Sequence, residues 1–498
     1  MNVNPITRLD YPDLDVIRVE DTYYMVSTTM HFMPGCEILQ SFDLVHWEHV
    51  TYVYETLDHT DAQQLKSGQN IYGQGMWAAS LRYHEGRFYI CFVANDTRKT
   101  YLYTSEKIDG PWKKQLIEGF YHDGSLLFDE DGRNYIVYGN DEIWITELNE
   151  DLTAPKKDGL HRLLVSDHKN PELGYEGSHI QKINGYYYIF LVHSLRERWM
   201  RTEACFYSDS LEGEFTGGDV LCDDRGYCGQ GVAQGGIVDT PDGKWYAMLF
   251  QDSGAVGRIP ILLPVTWKDH FPFFGQNGHV PEEIEVHSTR PGYIYQPLVG
   301  SDDFCNGLLP RWQFNHDPDP RYYHLDALQG TYTITTREVC TELTQAVNTL
   351  TQRMSYPSCA AEVTVDASAL KEGDVAGLCA LQSCYAAVGI TKHHGKYEVL
   401  MLDKKEDGIL DMTEGTVVES HQMDFRLEAD FCNMKDEARC YYRVNKGDWL
   451  PIGTVHKLYF KLDHFTGCRF GLFCYAAEET GGSACFRDFK YYDVDEIS

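Results

Sequence analysis

The chain has 498 residues, 43% of them apolar and 24% charged, and a formal net charge of −32. That length exceeds what a single hydrophobic core supports, roughly 250–300 residues, so two domains are expected, with enough apolar surface for both. The acidity excludes nucleic acid and anionic membrane surfaces as partners, because both are gripped through Lys and Arg; a neutral ligand fits better.

The N-terminal stretch from Met1 to Leu14 has no basic segment followed by an apolar one, and no apolar run approaches the roughly 18 residues of a spanning helix. Fifteen cysteines without Cys-x-x-Cys spacing read as reduced thiols. A globular, soluble, cytoplasmic protein is expected.

In chain order, one pattern recurs five times before Ser301: a Gly, Asn or Asp turn, then an aromatic-rich β run. The copies begin at Glu20, Glu85, Asp131, Asn184 and Asp242, and each carries a shared tyrosine, Tyr24, Tyr89, Tyr135, Tyr188 and Tyr246. The tyrosines are 65, 46, 53 and 58 residues apart, the length of four short strands and their turns. Hairpins repeating at blade length predict a five-bladed β-propeller over residues 1–298. Unrelated strands of a sandwich have no reason to repeat one turn five times.

From Ser301 the repeat stops. Runs such as Thr331-Tyr-Thr-Ile-Thr-Thr and Ala361-Glu-Val-Thr-Val-Asp alternate in polarity, and residues 299–498 are expected to form one β-sandwich. The chain is thus all-β.

Counting back from the repeated tyrosines, Asp13 stands eleven residues before Tyr24, and Asp123 and Glu176 twelve before Tyr135 and Tyr188. The same place in the second and fifth blades falls at Ala78, next to Trp77, and at Gln234. Equivalent positions in a radial repeat face one central space, so the three acids should converge. Converging carboxylates repel and lose solvent, so at least one pKa must rise and that group can donate a proton near neutral pH. Glycoside hydrolysis needs such an acid, and a base to activate water, without metal. No His-Glu-x-x-His, Gly-x-Ser-x-Gly or phosphate-loop motif offers another chemistry. Gly73-Gln-Gly and Gly229-Gln-Gly lack the strand-to-helix setting of a dinucleotide site.

The same residues carry a family resemblance. Asn4-Pro-Ile, Asp10-Tyr-Pro-Asp13, the stretch from Val26 to Gly35, Ser41-Phe-Asp-Leu-Val-His-Trp47, Trp77-Ala-Ala-Ser-Leu-Arg-Tyr83, the run His122 to Gly132, Glu176-Gly-Ser-His-Ile and the run Gln234 to Gly243 closely resemble glycoside hydrolase family 43. The likeness extends to a C-terminal, concanavalin-like sandwich similar to that of many β-xylosidases of the family. It implies an inverting mechanism with Asp13 as general base, Glu176 as general acid, and Asp123 as the carboxylate that orients the acid and keeps its pKa high. Leu14 and Gly124 stand where a proline commonly follows the catalytic aspartates, and Ala233 stands where relatives often have histidine. That last departure lowers the expectation of a central calcium, so no cofactor or metal is expected.

For the sugar itself, His31, Phe32, Trp77 and Gln234 are candidate contacts, because aromatic faces pack on sugar rings and polar edges select hydroxyls. Arg258, in Gly257-Arg-Ile-Pro, is similar to a substrate-binding arginine of relatives, and Phe486 is a candidate cap from the second domain. The expected activity is release of terminal pentose, β-D-xylose or α-L-arabinofuranose, from xylo-oligosaccharides or arabinoxylan fragments. An α-L-arabinofuranosidase, an endo-arabinanase and a non-catalytic carbohydrate-binding propeller are the alternatives. The sequence leaves the oligomeric state open.

Overall fold

The structure, a computed structural model, describes residues 2–493. Its elements are β-strands and four single 3-10 turns. Five four-stranded antiparallel sheets follow one another along the first part of the chain. Their innermost strands are Asp15–Val19, Met76–His84, Ser125–Phe128, Glu176–Ile183 and Val232–Asp239. Each repeated tyrosine lies on the second strand of its blade.

The apolar runs on those strands have a direct reason. Successive side chains of a strand point to opposite faces, and each blade is covered on both faces by its neighbours. Ile136 enters the cluster shared with the second blade and Val137 the cluster shared with the fourth. Ile189 and Phe190 divide in the same way between the third and fifth blades, and Ile38 and Leu39 between the second and fifth. The ring closes on polar contacts: Asn4 donates from Nδ2 to Leu262 O at 2.7 Å and accepts from Leu262 N at 3.0 Å, and Arg18 pairs with Asp239.

Beneath the mouth of the channel Arg82 acts as a plug. It donates to Asp15 Oδ2 (2.7 Å), Ser125 Oγ (2.7 Å), Leu126 O (2.8 Å) and Ile180 O (3.2 Å), and so ties the first four blades together.

Apart from a two-stranded pair of Asn2–Val3 with Glu283–Ile284, the strands beyond the blades form two sheets, of nine and seven strands, that enclose one apolar core. The nine-stranded sheet takes in a strand of the propeller. Phe32–Met33 leaves the first blade between its second and third strands and pairs with Gln313–Asn315, Met33 opposite Phe314 and Phe32 opposite Asn315. Nearby, Arg353 of the sandwich pairs with Glu37 at 2.8 Å, and both are buried. The two parts therefore share a sheet and a buried ion pair.

Candidate active site

At one mouth of the channel each inner strand begins with the same irregularity. Asp13, Ala78, Asp123, Gly177 and Gln234 all have left-handed backbones, with φ of 51°, 35°, 48°, 67° and 66°. Sheet register breaks between Trp77 and Ser80, Glu176 and His179, and Ala233 and Gly236. A left-handed L-residue costs about 1–2 kcal/mol and persists only where its surroundings enforce it. Here it turns the strand ends so that their side chains enter the channel mouth. At Gly177 a side chain has no room, since a Cβ would come within 2.8 Å of Gln234 Cγ.

Asp13 is held from three sides. Its Oδ1 accepts from Arg258 Nη1 at 2.7 Å and from Gln234 Nε2 at 3.1 Å, and its Oδ2 from Thr28 Oγ1 at 2.7 Å. Arg258 also reaches Asp252 Oδ1 at 3.3 Å, and Asp252 accepts from Arg201 Nε at 2.9 Å. Burial disfavours the charge on Arg258, yet Asp13 and Asp252 outweigh it and hold the guanidinium's pKa above its usual value.

Across the mouth, Asp123 and Glu176 form a second group with His122. The Asp123 Oδ2 accepts the Gly177 N–H at 3.0 Å, and Glu176 Oε2 accepts from Asn140 Nδ2 at 2.9 Å. His122 Nε2 lies 3.5 Å from Asp123 and 3.7 Å from Glu176. Burial pushes Asp123 up to about 6, opposed by His122 and aided by the charges of Glu176 and Asp13. Asp123 in turn raises His122 to about 9. For Glu176, burial acts upward but is outweighed by His122, Arg201 and Arg258, so its pKa falls below the usual value. Of the two close carboxyls the one with raised proton affinity is thus Asp123, whereas the resemblance implied a raised Glu176. The cause is the cationic side of Glu176, which faces two arginines as well as the histidine.

Both groups line one pocket of about 520 Å³. Trp77 forms a wall beside His122, with ring centroids 6.2 Å apart. Trp199, 43% exposed, stands at the rim on the fourth blade. The sandwich supplies another wall through Phe460, Lys461, Leu462 and Phe465. Phe465 packs against Trp77 (centroids 5.3 Å) and under Arg258, whose guanidinium carbon is 4.5 Å from the ring centre. Asp10 anchors that wall, accepting from Arg258 N at 2.7 Å and Gly467 N at 2.8 Å.

The model of glycosyl hydrolases family 43 matches residues 3–272, and that of the β-xylosidase C-terminal concanavalin A-like domain matches residues 301–492. The chain belongs to glycosyl hydrolase family 43. It is similar to a β-xylosidase of Formosa agariphila, 26% identical over 99% of this chain and 89% of that one. It is also similar to a non-reducing end α-L-arabinofuranosidase of Bacteroides ovatus, 24% identical over 82% and 79% of the two chains. Among solved structures, a bifunctional GH43-CE protein of Bacteroides eggerthii superposes with a TM-score of 0.91 at 42% identity. That match takes in 99% of this chain and 63% of the Bacteroides eggerthii protein.

As a family 43 glycoside hydrolase the chain brings Asp13, Asp123, Glu176, Trp77, Gln234 and Arg258 to one pocket. His31, Phe32 and Phe486 lie elsewhere. His31 and Phe32 are wholly buried where the propeller meets the sandwich, because their segment joins the sandwich sheet. His31 packs against Phe32, Tyr72, His316 and His464, and the Arg469 guanidinium sits 3.5 Å from the centre of the Phe32 ring. Phe486 pairs with Tyr332 and Val365 in the seven-stranded sheet, and its ring points into the sandwich core. The cap from the second domain is Phe465.

The sequence reading missed His122, Asn140, Trp199, Arg201 and Asp252. His122, next to Asp123, had a visible signal. The others lie on second and third strands or on loops, which the tyrosine offset does not reach.

A calcium ion in the channel would need oxygen ligands there. Such an ion takes six to eight oxygen ligands. Beneath the acids both oxygens of Asp15 are taken by Arg82, the Leu81 N–H and His179. Among the described residues one group has metal-ligand spacing: His122, Asp123 and Glu176 each bring a donor atom within 4.8 Å of the others. That mixed nitrogen and oxygen set suits transition metals better than calcium.

Proposed function

We propose that this family 43 enzyme is an inverting exo-glycosidase that releases a terminal pentose, β-D-xylose first and α-L-arabinofuranose second, from xylo-oligosaccharides or arabinoxylan fragments. One observation carries the reading: Asp13 faces Glu176 and Asp123 across a single pocket that the sandwich wall closes on one side. A pocket closed in this way receives a chain end, whereas an endo-acting enzyme needs a cleft open at both sides.

In this reading Asp13 takes a proton from the attacking water, and its three donors fix the direction of its free lone pairs. Glu176 protonates the departing oxygen. Asp123, close enough to share the negative charge, keeps one proton within the pair until the pH passes about 6. A bound sugar excludes water and so disfavours charge on Glu176, which moves the shared proton toward the leaving group. Trp77 and Phe465 supply the apolar faces for the ring. A non-catalytic binding propeller has no use for the shared proton or for the three donors on Asp13.

The test is a paired assay on 4-nitrophenyl β-D-xylopyranoside and α-L-arabinofuranoside, with the product anomer followed by NMR. Faster xyloside hydrolysis with inversion is expected. Retention, or activity on neither substrate, would overturn the reading. A faster arabinofuranoside reaction would reassign the sugar and leave the mechanism.

A further inference from the structure

Glu203 lies on Arg201–Ser208, the third strand of the fourth blade, and is wholly buried. Its Oε2 accepts the Gln234 N–H at 2.7 Å, and its Oε1 has no hydrogen-bond partner among the described residues. Gln234 falls inside a register break: Ala233 pairs with Phe250 and Gly236 with Met248, and Gln234 pairs with neither. Its N–H therefore has no acceptor in the sheet, and a buried N–H without one is strongly disfavoured. Glu203 supplies the acceptor. What it secures is a left-handed residue, φ 66°, whose side-chain amide reaches Asp13 at 3.1 Å.

We propose that Glu203 is a positioning residue for Asp13, acting through the main chain of Gln234. The inference rests on the reading of Asp13 as the base. Burial holds the Glu203 carboxyl well above the usual carboxylate range; what the geometry asks of it is one oxygen placed to accept the Gln234 N–H. The same strand also governs a second partner of Asp13. Arg201, two residues earlier and on the same face, binds Asp252 at 2.9 Å, and Asp252 binds Arg258 at 3.3 Å. Two of the three side chains that hold Asp13 are thus set from one strand of the fourth blade.

If an accepting oxygen at this place is what matters, a carboxamide supplies it and a shorter acid does not. Glu203→Gln, Glu203→Asp and Glu203→Ala are to be compared with Asp13→Asn on whichever aryl pentoside the enzyme turns over, with thermal unfolding in parallel. Glu203→Gln is expected to keep kcat within about threefold of wild type, while Glu203→Asp and Glu203→Ala lose at least about tenfold in kcat with a smaller change in KM. The inverse order, Asp retained and Gln lost, would show that an ionisable group is required and would overturn the proposal. So would a Glu203→Ala enzyme with wild-type kcat. Should Glu203→Ala not fold, the Gln and Asp variants decide alone. Wild-type activity in Asp13→Asn would remove the base reading itself, and the proposal with it, whatever the Glu203 variants do.

Discussion

Asp13 Oδ1 and Arg258 Nη1 meet at 2.7 Å, linking residues 245 apart in sequence within a site where both are buried. The pair is oriented as well as charged, since the Arg258 guanidinium also serves Asp252 and lies over the Phe465 ring.

Replacing Arg258 should therefore cost both stability and rate. Arg258→Met leaves the buried Asp13 and the half-buried Asp252 short of a partner, and removing one member of a buried pair costs about 3–5 kcal/mol. Arg258→Lys keeps the charge but cannot serve both aspartates from one plane, and kcat/KM should fall about a hundredfold. Denaturant unfolding and steady-state kinetics check the two effects; wild-type kcat/KM in the lysine variant would make the fork dispensable.

The leaving group separates acid from base. Glu176→Gln removes a donated proton worth about 10²–10⁴-fold, and a natural xylo-oligosaccharide should suffer far more than an activated aryl glycoside. Asp13→Asn should slow both substrates alike. If the aryl glycoside instead rescues Asp13→Asn, acid and base are reversed.

The pH profile should report the group around Asp123. Removing the His122 cation in His122→Asn lets Asp123 and Glu176 keep protons to higher pH, so the alkaline limb should move up. Removing the anion in Asp123→Asn lowers the proton affinity of Glu176, and the limb should move down. Stability gives the same sign. The Asp123 pKa is raised on folding from 3.8 to about 6. Its contribution is complete at low pH and is lost as the pH rises through about 6, so Asp123→Asn should gain on wild type between about pH 4 and 7. Unfolding midpoints across that range measure it; a constant difference would contradict the shift.

The propeller should not stand alone. A chain ending at residue 298 leaves Phe32 and Met33 without their partners in the sandwich sheet and leaves Glu37 buried without Arg353. The truncated protein should aggregate or unfold, and the full chain should melt in one calorimetric transition. Two separable transitions would mean that the shared sheet does not couple the parts.

Activity should survive prolonged chelation, because the proposed acid and base are protein carboxylates. Added zinc, by contrast, should inhibit, since the donors that could hold it include Glu176. Complete loss with EDTA, restored by calcium, would contradict the expectation.

What the sequence determined by itself was periodic. The repeated turn and tyrosine marked five second strands, because each blade must bury both faces and so repeats an apolar run at fixed distance from a turn. Counting back from that anchor reached Asp13, Asp123, Glu176, Gln234 and Ala78, next to Trp77, since a radial repeat carries one offset to one place. The resemblance then located Arg258.

Tertiary structure decided what no offset encodes. Aromatic residues suit a sugar wall and a domain interface equally well, and only the departure of Phe32–Met33 into the sandwich sheet separates His31 and Phe32 from Trp77. Phe486 and Phe465 are both sandwich phenylalanines; one points between two sheets and the other sits on a left-handed loop residue, φ 58°, facing the pocket. The opposite directions in which the proton affinities of Asp123 and Glu176 move were decided by burial and by where Arg201, Arg258 and His122 come to rest, because the electrostatic balance of a buried site depends on distances and burial that the linear chain does not carry.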